Sequence, residues 1–132
     1  MGKHRTSFSE LVAYYEAHPA FRGISDSHIT GLPYLKSEYS DLSKAVHGSA
    51  ASFMVGDQNN MPNVYLPNAT NLGQWSTRQK KTVEGLNLFM LTFHREKLLG
   101  TAYPAMRKAL AGLFVGGVRA KIKAGFKVTL SI

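Results

Sequence analysis

The fold is indicated most clearly by the stretch Tyr39-Ser40-Asp41-Leu42-Ser43-Lys44-Ala45-Val46-His47. Apolar residues recur through it and just before it at every third or fourth position, which is the spacing of one helix face. Pro33 is favourable in the first helical turn, so the sequence predicts a helix that opens there. Gly48 weakens a helix by about 1 kcal/mol relative to alanine, so we expect a bend or pause after His47. The stripe comprises Leu32, Leu35, Tyr39, Leu42 and Val46.

An earlier helix is predicted from Ser7 and Glu10, which have the spacing of a capping box. This helix should end near His18, because Pro19 disfavours the α conformation at the residue before it. Residues 20–31 contain glycines and polar residues and are predicted to form a loop.

Two more helices are predicted, over about 74–99 and from Pro104 onward. Gly100 should stop the first of them, and Gly116-Gly117 should break the second before a last basic turn over 118–124. The residues expected to face inward are Val83, Leu86, Met90, Phe93 and Lys97 or Leu98 on the first, and Met106, Leu110, Leu113 and Phe114 on the second. Phe126, Val128, Leu130 and Ile132 alternate with polar residues, which predicts a short extended tail that tucks onto a surface.

Together these elements predict an all-α fold, a four-to-five-helix bundle that forms a single domain over residues 1–132. Residues 56–73 are rich in glycine, asparagine and proline, and they are expected to be a long irregular loop. The extended C-terminal tail completes the architecture.

Composition excludes several classes of protein. The chain has no cysteine, which removes disulfides and thiolate metal sites. No phosphate-binding loop, helical zinc pair, carboxylate pair or serine hydrolase elbow is found, so no metal and no cofactor are expected. The basic start, Met1–Thr6, lacks the apolar run of a secretory signal, and no apolar stretch is long enough to cross a membrane. We therefore expect a cytoplasmic protein without a membrane partner.

Positive charge is concentrated in the C-terminal portion. The formal net charge is +8. From Arg78 to the end the sequence contains eleven lysines and arginines but only two acidic residues, Glu84 and Glu96. Such a field attracts nucleic acid, although a solvated basic face or a surface for an acidic partner protein has the same composition. The candidate nucleic-acid-binding residues are Arg78, Lys80, Lys81, Arg119, Lys121 and Lys123.

Three aromatic residues, Tyr65, Trp75 and Tyr103, lie near expected loops or helix ends. Such side chains could stack on bases beside the basic residues. They more often fill gaps in a core, and the core is the interpretation that we favour from the sequence.

His47 is the one candidate for catalytic chemistry. Ser43 lies four residues before it and should share its helix face, whereas Asp41 should lie to the side. A partly exposed histidine beside hydroxyls and Lys44 can act as a general acid or base. The alternative is a histidine that packs and hydrogen-bonds at a helix crossing.

The segment Tyr39–Ser49 resembles part of the HEPN-like proteins. These are all-α domains, many of them metal-independent endoribonucleases in bacterial toxin–antitoxin and phage-defence systems. Their motif is an arginine, a polar residue, several further residues and a histidine, and two such motifs meet across a dimer. The resemblance extends loosely to about two thirds of the chain. A HEPN domain usually has a long helix before this segment, so the resemblance also implies an abbreviated domain or one completed by a partner chain.

By this resemblance His47 is the motif histidine, Asp41 the polar residue, and Ser40 stands in the place of the arginine. His47 would then assist attack of a ribose 2′-hydroxyl on the adjacent phosphate. Ser43 and Asp41 would orient it, and Lys44 would hold the phosphate as a point charge, although a serine cannot replace a guanidinium fork.

The resemblance therefore implies an RNA-binding or RNA-cleaving domain, as a homodimer or as part of a toxin–antitoxin or phage-defence assembly. The competing hypothesis is a non-catalytic interaction or scaffold subunit of a larger complex. A DNA-binding protein is less favoured, because no recognition helix with clustered base-reading side chains is found.

Overall fold

The computed structural model describes residues 6–46, 69–100 and 102–130, with side chains described over 6–43, 72–100 and 102–130. Within these ranges the chain forms five α-helices and no β-strand, which confirms the predicted all-α helical bundle. The helices are α1 (Phe8–Ala17), α2 (Leu32–Val46), α3 (Ala69–His94), α4 (Pro104–Leu113) and α5 (Gly116–Phe126).

The start of α1 is the predicted capping box. The Ser7 hydroxyl accepts from the Glu10 backbone N–H at 3.2 Å, and the Ser7 backbone N–H donates to Glu10 Oε2 at 2.7 Å. Hydrogen bonds to the Ser7 backbone and then its side chain lower the pKa of Glu10 from its ordinary value, because they favour the charged carboxylate. His18 is extended ahead of Pro19, and α1 ends there as predicted.

Helices α2 and α3 form an antiparallel pair. Gly31, which precedes α2, lies against Gly85 and Phe89 on α3, and Glu38 further along α2 pairs with Arg78. α2 begins at Leu32, one residue before the predicted Pro33. Residues 27–30 form a 3₁₀ turn ahead of this pair.

Both ends of α3 differ from the sequence prediction. The helix begins at Ala69, so the predicted irregular loop over 56–73 is wrong for 69–73, while residues 56–68 lie outside the described part of the chain. The helix runs through Gly73, because one exposed glycine costs a helix only about 1 kcal/mol and does not stop it. Its α-helical part ends at His94, and a 3₁₀ turn continues over Arg95–Leu98. Gly100 follows with a φ of 70°, as expected of a residue that ends a helix.

The C-terminal region contains a full fifth helix where a basic turn was predicted. α4 begins at Pro104 as expected, and Gly116-Gly117 opens α5 rather than only ending α4. Residues 127–130 have no regular secondary structure. Val128 and Leu130 are buried there, so the described part of the tail packs onto the domain as predicted.

α1 is attached to α3 by aromatic packing. The Tyr15 ring meets Phe89 and Phe93 edge to face, with centroids 4.9 and 5.9 Å apart. Phe21 packs against the same two rings. The main core lies at the other side of α3, where its second half meets α4, α5 and the tail. Its buried members are Ile29, Leu88, Leu91, Leu98, Ala111, Phe114, Ile122, Phe126, Val128 and Leu130.

The predicted inner faces of α3 and α4 are partly wrong. Val83, Leu86 and Met90 are about half exposed, and so are Met106 and Leu113. α3 carries two apolar stripes on opposite sides, and helical periodicity does not say which of two stripes packs inward. Phe93 and Leu110 are partly buried, whereas Leu98 and Phe114 are fully buried as predicted.

Candidate functional site

The predicted catalytic residues on α2 point in two directions. Asp41 and Ser43 are two residues apart on a helix, which places their side chains about 200° apart around the axis. Asp41 Oδ2 lies 3.8 Å from Arg78 Nη2 on α3, whereas Ser43 lines a groove between α1 and α2. The structure therefore does not bring these two residues together. His47 and the Lys44 side chain lie outside the described part of the chain.

Arg78 joins α2 to α3. Its Nε and Nη2 atoms donate to Glu38 Oε2 at 3.2 and 3.0 Å, and Asp41 lies beside the same guanidinium. The Glu38 side chain is only 18% exposed, so this charge-assisted contact is partly shielded from water. Arg78 was predicted to bind nucleic acid, but its guanidinium lies within ion-pair distance of two carboxylates of its own chain.

Replacing Arg78 with alanine is expected to lower the free energy of unfolding by about 1–3 kcal/mol, because the half-buried Glu38 carboxylate loses its donor. Chemical denaturation checks this value. Lys80→Ala on the same helix is the control and should change stability by less than about 0.5 kcal/mol, because Lys80 is exposed. Equal losses in both variants would contradict the assigned role of Arg78.

The groove between α1 and α2 has a volume of about 560 Å³. Phe8 and Tyr39 stack beside it with ring centroids 3.7 Å apart, and Lys36 pairs with Glu16 at 3.0 Å. Ser40, which the resemblance to HEPN-like proteins would align with the motif arginine, also lines this groove. No sequence pattern predicted the groove, since it depends on how two helices pack.

Cations recur every four residues along α5 and at the residue that follows its last turn. Arg119, Lys123 and Lys127 follow each other at intervals of four residues, and we call them the α5 basic row. The Arg119 Nη1 atom donates to the Ala111 carbonyl oxygen at 3.2 Å, and Lys127 Nζ donates to that of Ala124 at 2.9 Å. Lys123 is exposed, and α5 contains no acidic residue. Among the described residues, no carboxylate forms an ion pair with these three cations.

The other predicted basic residues are distributed differently. Lys121 lies on another face of α5, and its Nζ atom is 3.9 Å from Asp26 Oδ2. Lys80 and Lys81 are exposed on α3. The sequence prediction missed Lys127, because the segment after 126 was expected to be extended. The four-residue spacing from Arg119 is the pattern that could have revealed it.

Two of the three aromatic candidates lie in the described part of the chain, and neither is a core residue. Trp75 is 61% exposed and Tyr103 is 58% exposed, so the core interpretation is wrong for both. Tyr65 lies outside the described residues.

Over 6–46, 69–100 and 102–130 no group of acidic or histidine side chains could hold a metal ion. The helices searched there are too short or too polar to cross a membrane.

Comparison of the chain with protein-family models, with curated proteins and with solved structures finds no match. The resemblance to HEPN-like proteins thus stays a prediction from the Tyr39–Ser49 segment. What can be inferred about function depends on the charges, exposures and contacts described above.

Proposed function

We propose that this protein binds RNA and that the α5 basic row contacts the phosphates. The observation that carries the proposal is that Arg119 and Lys123 lie four residues apart on α5, which has no acidic residue, and that the exposed Lys127 follows at the C-terminal end of the same helix. Lysine and arginine contacts to phosphates supply most of the sequence-independent affinity for nucleic acids, because they release condensed counterions.

A bound polyanion would relieve a repulsion between cations on α5. Like charges four residues apart on a helix repel and destabilise it by a few tenths of a kcal/mol per pair. Asp26 is the acid that pairs with a cation of α5 among the described residues, and its partner is Lys121, which is not part of the row. A string of phosphates along the row would remove that repulsion.

RNA is favoured among polyanions by the resemblance of Tyr39–Ser49 to HEPN-like proteins. An exposed aromatic ring such as that of Tyr103 can stack on an unpaired base, which single-stranded RNA offers. A DNA strand of matching sequence is therefore an essential comparison in the binding experiment.

The experiment measures fluorescence anisotropy of a labelled single-stranded RNA with three proteins. Lys123→Gln/Lys127→Gln should weaken binding about tenfold or more at constant salt, because two phosphate contacts are lost. The control Arg22→Gln/Lys36→Gln removes two exposed charges elsewhere and should change affinity less than about twofold. Equal weakening in both variants would assign the affinity to net charge and not to the α5 basic row. Tighter binding of the DNA strand would reject RNA as the ligand.

The cleavage hypothesis is tested on the same RNA. The HEPN-like resemblance makes His47 the general acid or base, so His47→Ala should abolish cleavage without reducing binding. Equal cleavage by the wild type and the variant, or cleavage by neither, would remove the catalytic hypothesis and leave an RNA-binding module.

A second candidate function is that of a helical subunit in a larger assembly. It is favoured by apolar side chains on α3 that remain about half exposed, since large exposed apolar patches mark interaction surfaces. Light scattering after size exclusion, with and without RNA, separates the two candidates. A mass above that of one chain that is indifferent to RNA supports the assembly subunit.

A further inference from the structure

The longest helix carries an exposed apolar stripe on the side away from the core. Its members are about half exposed: Leu72 55%, Trp75 61%, Val83 49%, Leu86 48% and Met90 55%. We call these five residues the α3 outer stripe. The first and last are eighteen residues apart, which is five helical turns, so the stripe runs straight for about 27 Å. The buried residues Leu88 and Thr92 lie on the opposite side of α3.

The residues that flank or interrupt the α3 outer stripe in helical projection are mostly uncharged: Ser76, Gln79, Thr82 and Asn87. Lys80 is the charged residue at its outer edge, beside Asn87. An exposed helix face in water is usually charged. This face therefore has the composition of an interface core, where charged residues are depleted.

We propose that the α3 outer stripe is covered by the same stripe of a second copy, in an antiparallel two-fold pair. An interface with two-fold symmetry must be complementary to itself. Reversing α3 about position 81 places Leu72 opposite Met90, Trp75 opposite Leu86 to within one residue, and Gln79 opposite Val83. Apolar side chains then meet apolar ones at both ends of the stripe, Gln79 meets Val83 near its middle, and no charge faces a like charge within it.

Charge and area also favour a second copy as the occupant. Lys80 is the one cation bordering the stripe in helical projection, so most of the chain's charge of +8 lies away from it and does not favour an acidic partner there. The five side chains expose roughly 500 Å² per copy, so a pair would bury roughly 1,000 Å², which is the lower limit for a specific interface.

This inference rests on the second candidate function, and it is tested by sedimentation velocity over a range of concentrations. The wild type should shift from one chain to two as its concentration rises. Leu86→Glu should weaken self-association about 100-fold or more. In a two-fold pair each copy contributes the substitution, so two carboxylates would be buried in the interface. Leu113→Glu is the matched control: Leu113 is 53% exposed on α4, and its replacement should leave self-association unchanged. A wild type that stays monomeric throughout, or equal weakening by both variants, would overturn the proposal.

Trp75 provides an independent reading, since it is the only tryptophan in the chain. Its emission should shift to shorter wavelength as the wild type associates, and Leu86→Glu should lose this shift while its far-ultraviolet circular dichroism is unchanged. A blue emission maximum that does not depend on concentration would mean that the stripe is covered within one chain, and would also overturn the proposal.

The antiparallel register is tested by oxidation, because the natural chain has no cysteine. A mixture of Gln79→Cys and Val83→Cys proteins should form a mixed disulfide-linked dimer, since these positions face each other in the pair. Linkage of each variant only to itself would indicate a parallel pair and overturn this arrangement. The Leu86→Glu protein should keep its RNA affinity, so failure of the pair and failure of RNA binding are distinguishable.

Discussion

Gly31→Ala is expected to destabilise the protein by at least about 4 kcal/mol, or to prevent folding altogether. Gly31 has a φ of 73°, where a side chain is strained by about 1–3 kcal/mol. A Cβ atom there would also overlap the carbonyl oxygen of Gly85 and lie 2.8 Å from the Phe89 backbone nitrogen. Those are backbone atoms of α3, so α2 and α3 would have to separate.

Gly23→Ala is the matched control for this prediction. Gly23 has the same φ of 73°, but a Cβ atom there would meet nothing within 4 Å. Its replacement should cost only about 1–2 kcal/mol, the cost of the left-handed conformation. Thermal and urea unfolding give both values. Similar losses in the two variants would show that the close approach of Gly31 to Gly85 does not hold the helices together.

Leu88→Ala is expected to lower the free energy of unfolding by about 3 kcal/mol, within the range for buried leucines that leave a cavity. Leu88 is 2% exposed and belongs to the main core. Leu86, two residues earlier, is 48% exposed. At concentrations where the protein is monomeric, Leu86→Ala should cost less than about 1 kcal/mol.

The comparison of Leu88→Ala with Leu86→Ala tests which face of α3 is internal. Urea unfolding at low protein concentration is the appropriate measurement, because self-association through the α3 outer stripe would stabilise the wild type by mass action. A larger loss for Leu86→Ala would mean that the sequence-based assignment of the inner face was right and that the described packing is wrong.

Local rules were sufficient for several helix ends. Ser7 with Glu10 predicted the start of α1, Pro104 predicted the start of α4, and Gly100 marked the end of the α3 region. Each of these helix ends is determined by residues within a few positions of it, so the local sequence is sufficient to predict it. The start of α3 was predicted too late, at about residue 74, because Gly73 was assigned to the preceding loop. A single glycine does not end a helix when the residues on both sides of it are helical.

The packing between helices could not be predicted from short stretches of sequence. α3 offers Leu88 and Leu91 on one side and Leu86 and Met90 on another, and only the tertiary arrangement decides which pair is buried. The contact of Arg78 with Glu38 joins residues forty positions apart, so Arg78 could not be distinguished from the free cations by spacing. The α5 basic row could have been predicted in full, had Lys127 been assigned to the end of a helix.

The most direct test of the proposed RNA binding is the salt dependence of affinity. The logarithm of the association constant for single-stranded RNA is measured against the logarithm of salt concentration, for the wild type and for Lys123→Gln/Lys127→Gln. We expect a steep negative slope in the wild type, and a slope shallower by about 1–2 in the variant, because each lost phosphate contact changes the slope by about 0.7–0.9. Binding that does not depend on salt, or identical slopes in both proteins, would contradict a role for the α5 basic row.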